Sequence, residues 1–313
     1  LHYLYERVVD DPRITHDVTL SVDSYGHVLQ SLSIAYGRRL LKHQTAIARA
    51  TTATEVKATV LPEQSKTTVS ATIHTVYNNA AADGNKRLLG VPIERSVYEL
   101  NGLPPVHVSA GGGDGLFTVA QLQSALAAAL LDKVTFGTDF NTGIQAKLIN
   151  AVRHYYWNET QTAALPEGQA CLPLLAHHQQ EAVYTPELIT SVYGTKVSDR
   201  LLNTTGYVKA DNLWWSIGKI AHFANASHYY VVNQQTDGFG LDEKVGYDKY
   251  TLYPISQESV VISADSAATQ VVRRTLGVMD YPSGQLSQLT DMNGTISEVR
   301  YDPQVKAIVL RID

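Results

Sequence analysis

The sequence predicts a mainly β protein with a few short helices in its middle third. Apolar and polar residues alternate over long stretches of the first and last thirds of the chain, which is typical of half-buried strands. Turn sequences that contain glycine and asparagine separate these stretches. The 18 tyrosines, against 5 phenylalanines and 3 tryptophans, suit sheet surfaces on which the ring packs and the hydroxyl stays hydrated.

The first hundred residues are expected to form a β-meander. A hairpin is predicted around a turn from Asp23 to Gly26, because Val18, Leu20 and Val22 alternate before it and apolar residues share a face after it. A second alternating run, from Val69 to Tyr77, ends in a turn-rich segment. The next predicted strand stops at Asn101-Gly102.

Helices are predicted in the middle third. Thr118 and Gln121 have the spacing of a capping box ahead of an Ala/Leu-rich run. Pro186 suits the first position of a second helix that stops at Gly194, and Ser198 is a candidate cap for a third. Residues 144–157 fit a helix and a strand equally well.

From Tyr207 onwards the pattern returns to strands, with the adjacent aromatic pairs Trp214-Trp215 and Tyr229-Tyr230 expected in strands. We therefore expect three segments. They are a β-meander over 1–105, a mixed segment with short helices over 106–206, and repeat-like strands over 207–313.

One turn motif recurs along the chain. An aspartate is followed by a glycine three residues later and by Tyr-Asp seven residues after that, once from Asp237 and once from Asp291, and Asp23 with Gly26 keeps the first half. Asn293-Gly294 favours a tight primed turn, because both residues tolerate positive φ. We interpret the motif as structural rather than catalytic. Its residues are Asp23, Gly26, Asp237, Gly240, Tyr247, Asp291, Asn293, Gly294, Tyr301 and Asp302.

The last repeat also resembles the sequence just before it. Tyr281 and Gly284 precede Tyr301 by one unit of about twenty residues, the length of a strand, a turn and a strand. Hairpins stacked on their neighbours explain this spacing.

Composition excludes several function classes. A net charge of −5 with 18% charged residues argues against nucleic-acid binding and against a polybasic membrane patch. The single cysteine, Cys171, excludes an intramolecular disulfide and a cysteine-based metal cluster. No apolar run of about 18 residues predicts a membrane span. Because the chain starts at Leu1 without a signal-like segment, we expect it to be part of a longer protein.

Histidines are the candidates for a metal site, with the pair His177-His178 joined by His154, His222 or His228. Adjacent histidines point apart on a strand and lie about 100° apart on a helix, and the sequence has no H-E-x-x-H motif. We therefore interpret them as solvated or turn histidines, and expect no metal and no cofactor.

Other catalytic interpretations are weaker than structural ones. The "AGGGDG" segment at 110–115 lacks the G-K-[ST] ending of a phosphate-binding loop, and Ser283 lies in turn chemistry rather than in a nucleophile elbow. A carboxylate pair for glycoside hydrolysis remains open, although Asp237 and Asp291 recur at turns and fit turn braces better. Cys171 is interpreted as a small apolar residue. The two aromatic pairs fit wall packing or a sugar or peptide platform.

The motifs also carry a family resemblance. "YPSGQLSQLTDMNGTISEVRYDP" is similar to an RHS (YD) repeat, and "LYERVVDDPRITHDVTLSVDSYGHVLQSLSIAYGRR" resembles the middle region of TcdB-type B components of insecticidal toxin complexes. The resemblance covers nearly the whole chain. It continues in order through "VPIERSVYELNGL", "AVYTPELITSVYGTKVSD", "GYVKADNLWWSIGKIAHF" and "DGFGLDEKVGYDKYTLYP".

The resemblance implies a secreted, non-catalytic structural segment. Such a B component forms, with the RHS part of a C component, a hollow β-shell of stacked hairpins and spiralled sheet that encloses a cytotoxic polypeptide. A β-propeller, of which this chain shows no repeat, docks the B component to the pore of an A component. The paired Asp-Pro-x-Gly motif of the C component is absent, since the sequence after Asp302-Pro303 has no glycine.

Two other function classes remain open at this point. The first alternative is a surface module that binds a glycan or a receptor. The second is an enzyme similar to a glycoside hydrolase.

Overall fold

A computed structural model describes residues 1–5, 12–37, 62–80, 87–103, 115–263, 266–302 and 308–312. Strands dominate these residues, and the predicted mainly β fold class is confirmed. Most of the "AGGGDG" segment lies outside the described residues, as do residues 303–307 after the last Tyr-Asp pair. No helix in the described ranges is both long enough and apolar enough to cross a membrane.

The first sheet has ten strands, in the order β1-β2-β3-β4-β5-β7-β8-β10-β9, with β6 paired to β7. Strands β1 to β5 form a meander of antiparallel neighbours, as the alternating runs predicted, and β6 is parallel to β7. The strands are β1 (His2–Leu4), β2 (Arg13–Val22), β3 (Val28–Ala35), β4 (Thr68–Ala80), β5 (Arg87–Asn101), β6 (Lys133–Val134), β7 (Gln145–Tyr156), β8 (Ala176–Tyr184), β9 (Tyr207–Ala210) and β10 (Leu213–Ile217).

The second sheet has eight strands that follow one another in chain order, each antiparallel to the next. It is therefore a simple meander of hairpins. The strands are β11 (Ile220–Phe223), β12 (Val232–Thr236), β13 (Asp242–Tyr247), β14 (Pro254–Ser263), β15 (Ser266–Asp280), β16 (Gln285–Thr290), β17 (Ile296–Tyr301) and β18 (Ile308–Ile312).

The three α-helices of the described residues lie in the middle third, as predicted. They are α1 (Val119–Leu131), α2 (Pro186–Tyr193) and α3 (Asp199–Thr204), and short 3-10 turns cover Pro62–Ser65 and Ala226–His228. Both bonds of the predicted capping box form, and Gly194 ends α2 with a φ of +58°. Residues 145–156, for which the pattern left helix and strand open, form β7.

The chain divides into two units. The first unit comprises residues 1–153, 181–198 and 209–215, and the second comprises 154–180, 199–208 and 216–313. The core of the first unit forms where α1 packs on β2 to β5. On α1, Leu122, Leu126 and Ala129 are fully or almost fully buried, at the spacing that places residues on one face of a helix.

The second sheet has almost no buried residues. Over 220–261 and 271–302, where burial is described, Asp248 is the single buried residue. Large apolar side chains such as Val271, Val272 and Val278 remain exposed, at 44%, 59% and 51% of their surface. The strands of this sheet are therefore held by backbone pairing and by their turns more than by a hydrophobic core.

The two aromatic pairs differ from each other. Trp214 and Trp215 lie in β10 with only 1% of each exposed, so neither indole offers an open face for a ligand. Tyr229 and Tyr230 lie in the turn before β12, both at positive φ, and not in a strand as predicted. The prediction of a strand for this second pair is wrong because the chain reverses there after the short 3-10 turn.

Candidate functional site: the aspartate turns

Three of the predicted motif positions form the same turn. In each, one carboxylate oxygen of the aspartate accepts hydrogen bonds from the backbone N–H groups two and four residues later. The acceptors and donors are Asp23 with Tyr25 (2.9 Å) and His27 (2.8 Å), Asp237 with Phe239 and Leu241 (both 2.9 Å), and Asp291 with Asn293 and Thr295 (both 2.8 Å).

The backbone closes the same turns. The glycine N–H donates to the carbonyl of the aspartate at 3.0–3.1 Å, and the aspartate N–H donates to the carbonyl four residues later at 2.9–3.0 Å. The glycines Gly26, Gly240 and Gly294 have φ of +90°, +78° and +83°. A Cβ at any of them would meet no atom within 4 Å, so the positive φ alone requires glycine.

The turn at Asn293-Gly294 connects paired strands and is tight, but it is not of the primed type that we predicted. Gly294 has a positive φ, but Asn293 is not among the residues with positive φ. Thr290 pairs with Ile296, so five residues connect the strands, and the carboxylate of Asp291 braces the longer loop from inside. Side-chain bonding by aspartate, rather than a second left-handed residue, closes this hairpin.

Two further aspartates brace variants of this turn. Asp248, the buried residue of the second sheet, accepts from the N–H groups of Leu252 (2.7 Å) and Tyr253 (3.1 Å), and from the hydroxyl of Tyr281 (2.6 Å). Asp280 accepts from the N–H of Ser283 at 3.0 Å. Asp248 therefore ties the β13–β14 turn to the β15–β16 turn.

The tyrosines of the two full motifs make the same contact. Tyr247 donates its hydroxyl hydrogen to the carbonyl of Val232 at 3.1 Å, and Tyr301 donates to the carbonyl of Leu286 at 2.9 Å. The acceptor lies fifteen residues earlier in both cases, at the start of the neighbouring strand. Tyr281 lies in a turn and bonds Asp248 instead, so it is not the structural equivalent of Tyr301 that the spacing suggested.

The electrostatics suit braces rather than proton donors. The N–H of Thr295, above all, lowers the pKa of Asp291. Desolvation would raise the pKa of Asp23, but hydrogen bonds from His27, Asn78 and the N–H of Tyr25 outweigh it and hold this pKa well below its usual range. Carboxylates that accept several hydrogen bonds stay ionised, whereas a general acid needs a raised pKa.

Asp302 directly follows β17 and is half-buried. Asp291 lies before β17 and Asp302 lies after it. The two carboxylates are therefore at opposite ends of a strand that is about six residues, or roughly 20 Å, long. They do not form an acid/base pair.

The second unit places three of the five candidate metal histidines against the rings of Tyr155 and Trp157. The ring of His178 stacks on Tyr155 with centroids 4.6 Å apart, and the ring of His177 lies 4.1 Å from that of Trp157. His222 also contacts Trp157, at 5.5 Å, and His154 bonds the side chain of Gln179. His228, in contrast, is exposed and bonds Asn225 within its own turn.

Adjacent histidines do not point apart, contrary to our prediction. The Nδ1 atoms of His177 and His178 are 2.7 Å apart, which fits one neutral ring donating to the other. Burial lowers the pKa of His178 to about 4, with a smaller contribution from the neighbouring His177. In the described part of the chain, no group of three or more histidine, cysteine or acidic residues is arranged to hold a metal ion.

Cys171 is a poor nucleophile in this position. Its Sγ lies 3.4 Å from the carbonyl oxygen of Trp157. Burial, followed by the charge of Glu159, raises the pKa of its thiol. Because the thiolate is the reactive form, a raised pKa lowers reactivity.

One cluster escaped prediction from the sequence. Arg153 on β7 donates to Glu94 on β5 and to Asp211 in the β9–β10 turn. The partners lie 59 and 58 residues away from Arg153, and no spacing rule connects residues that far apart.

Comparison with known proteins agrees with the resemblance found in the sequence. Residues 1–91 match the sequence model of a family described as the insecticide toxin TcdB middle/C-terminal region. The predicted likeness to TcdB-type B components is confirmed for this part of the chain. No curated protein sequence matches the chain.

Solved structures of toxin complexes share the fold. A crystal structure of TcdB2-TccC3-TEV matches 99% of this chain with a TM-score of 0.72 and 18% identity, over 14% of that chain. The Photorhabdus luminescens Tc holotoxin pore matches 97% with a TM-score of 0.71 and 17% identity, over 13% of that chain. A crystal structure of TcdB2-TccC3 gives 0.69 and 18% identity over 97% of this chain. This chain thus has the fold of one segment of much longer chains.

Proposed function

We propose that this chain is a non-catalytic wall segment of the B component of a secreted toxin complex. Together with an RHS-containing C component, it forms a hollow shell that encloses a cytotoxic polypeptide. The shell delivers that polypeptide through the pore of an A component, to which a propeller outside this chain docks. The family match over residues 1–91 and the shared fold support the assignment to such a component.

The observation that carries the proposal is the exposure of the second sheet on both faces. Among residues 220–261 and 271–302 only Asp248 is buried. A sheet that belonged to an ordinary two-layer domain would bury one face in a core. A sheet that separates an enclosed space from the outside has two surfaces instead, and needs only a closed hydrogen-bond network and firm turns.

The turns supply that firmness. Asp237, Asp248, Asp280 and Asp291 each fix a hairpin end by bonding backbone N–H groups. Tyr247 and Tyr301 add a bond across neighbouring strands. In this proposal the aspartates and tyrosines of the motif act as braces of the wall, and the segment works by confinement.

In a closed wall, the two faces of one strand differ in their access to solvent. Val271 and Val272 are neighbours on β15, so their side chains point to opposite faces, and both are exposed. In a closed shell, one of these faces lines the enclosed space and the other faces the solvent.

The experiment uses the full-length protein in which Cys171, and any cysteine outside these 313 residues, is changed to serine, and which carries either Val271→Cys or Val272→Cys. Each variant is treated with a bulky polyethylene-glycol maleimide before and after assembly with the C component. We expect both cysteines to react before assembly, and one of them to be protected afterwards while the other stays reactive. The two variants are matched controls for each other. Equal labelling of both positions in the assembled complex would rule out a closed wall at this strand.

A further inference from the structure

A cleft of about 320 Å³ opens in the first unit, between β5, β6, β7 and the β9–β10 hairpin. Ser96, Arg153 and Trp215 lie on its buried side. Phe136, with 41% of its surface exposed, and Asp211 lie at its more exposed side. This volume is at the lower end of the roughly 300–1,000 Å³ of small-molecule sites.

Arg153 is paired with both carboxylates of the cleft. Arg153 is 7% exposed, and its Nε donates to Glu94 at 2.8 Å while its Nη2 donates to Asp211 at 2.5 Å. The guanidinium also lies over the ring of Trp215, at 4.1 Å from the ring centroid. Lys133 engages the ring of Tyr98 at 5.5 Å. The lining therefore carries two carboxylates and two cations, so its formal charges sum to zero.

The turn at the rim directs one carboxylate towards the arginine. Asp211 and Asn212 have φ of +49° and +56°, the left-handed pair that a two-residue hairpin turn requires. Glycine would adopt this conformation more easily, but aspartate supplies an oxygen that reaches Arg153. The cleft is therefore organised before any ligand arrives, and preorganised polar groups favour binding.

The remaining lining combines uncharged polar, aliphatic and aromatic side chains. Asn212 provides an amide group and Phe136 provides an accessible ring, while the buried hydroxyl of Ser96 donates to Glu94 at 2.7 Å. Carboxylate oxygens are strong acceptors for hydroxyl groups, and aromatic rings pack on the apolar faces of sugar rings. A charged ligand would meet groups of its own sign as well as of the opposite sign, whereas a neutral ring bearing several hydroxyls would match the acceptors, the donors and the aromatic ring.

We propose that this cleft binds a neutral saccharide, as a monosaccharide or as the end of a glycan. Glu94 and Asp211 both accept hydrogen bonds from one guanidinium, and the proposal concerns binding alone, with no cleavage step. The inference is independent of the wall function, since a shell segment requires no such cleft.

The test uses the full-length protein and the methyl glycosides of glucose, galactose, mannose and N-acetylglucosamine. Saturation-transfer NMR at millimolar ligand should show transfer to the ring protons of at least one of them. Asp211→Asn keeps a side chain that tolerates left-handed backbone but removes the charge. We expect it to weaken that binding at least tenfold.

Glu99→Gln is the matched control. It makes the same carboxylate-to-amide change on β5, at an exposed position on the face opposite Glu94, and should leave the dissociation constant unchanged. Phe136→Ala is the second variant, since it leaves the ion pairs in place and should also weaken binding if Asp211→Asn does not fold. The absence of saturation transfer from all four glycosides, or binding that persists unchanged in Phe136→Ala and in folded Asp211→Asn, would overturn the proposal.

Discussion

At the scale of single residues, aspartate and glycine make two different contributions to the recurrent turn. Asp291 satisfies two backbone N–H groups inside the loop, and Gly294 supplies the positive φ that lets the chain reverse. The sequence alone predicted these positions from their repeated spacing. It did not predict the loop length, because Asn-Gly favours a shorter turn and the hydrogen bonds of the aspartate side chain are not visible in a pattern.

The glycine requirement at residue 294 can be measured directly. Gly294→Val should destabilise the protein by more than the roughly 0.5–1 kcal/mol of the backbone effect of glycine, because a β-branched residue is strained at positive φ. Gly294→Asn is the control, since asparagine tolerates this region, and it should cost less. Thermal unfolding of both variants checks the prediction. Equal melting temperatures for the valine and asparagine variants would contradict it.

The histidine pair predicts a pH dependence of stability. The folded state lowers the pKa of His178 from 6.5 to about 4, so the unfolded state binds more protons between these values. The protonation of His178 therefore does not reduce the free energy of unfolding above pH 6.5, and it reduces this free energy increasingly as the pH drops towards 4. His178→Gln should reduce this loss. His228→Gln, at an exposed histidine, should not, and chemical denaturation at a series of pH values compares the two.

At the scale of elements, the hairpins of the second sheet share a contact between neighbouring strands. The hydroxyls of Tyr247 and Tyr301 bond carbonyls fifteen residues earlier. The repeated Tyr-Asp spacing indicated that both tyrosines have the same structural role. The alternation of apolar and polar residues predicted the strands on which they lie. The acceptor is a backbone carbonyl, which every residue has, so the sequence could not identify it.

The tyrosine contact predicts a measurable cost for losing one hydroxyl. Tyr301→Phe should destabilise the protein by about 0.5–1.5 kcal/mol, the net value of a typical hydrogen bond. Tyr250→Phe is the matched control, because Tyr250 is 52% exposed and its hydroxyl forms no hydrogen bond within the described part of the chain. Urea unfolding measures both free energies. A loss in Tyr250→Phe as large as that in Tyr301→Phe would argue against the brace.

At the scale of the whole molecule, two principles of construction occur in one chain. The first unit buries α1 against a sheet, with Leu126 and Ile34 almost fully enclosed. The second unit extends a meander whose side chains stay half-exposed. Alternation predicted strands in both, because period-two patterning is the same in each. It could not predict burial, since the same pattern serves a sheet with one covered face and a sheet with none.

Long-range clusters mark the limit of prediction at this scale. Arg153 meets Glu94 and Asp211 only after β5, β7 and the β9–β10 turn have assembled. His177 and His222 likewise approach Trp157 from separate strands. Local patterns fix turns, caps and strand faces, whereas such meetings depend on strand order in the folded sheet.

The half-exposed second sheet has a consequence for its response to temperature. The heat capacity change of unfolding grows with the apolar surface that becomes hydrated. Side chains such as Val272 and Val278 are already more than half hydrated in the folded state, so their unfolding adds little to this term. The enthalpy of opening this sheet should therefore vary less with temperature, per residue, than that of the first unit with its buried leucines, and we expect a flatter stability curve for the sheet.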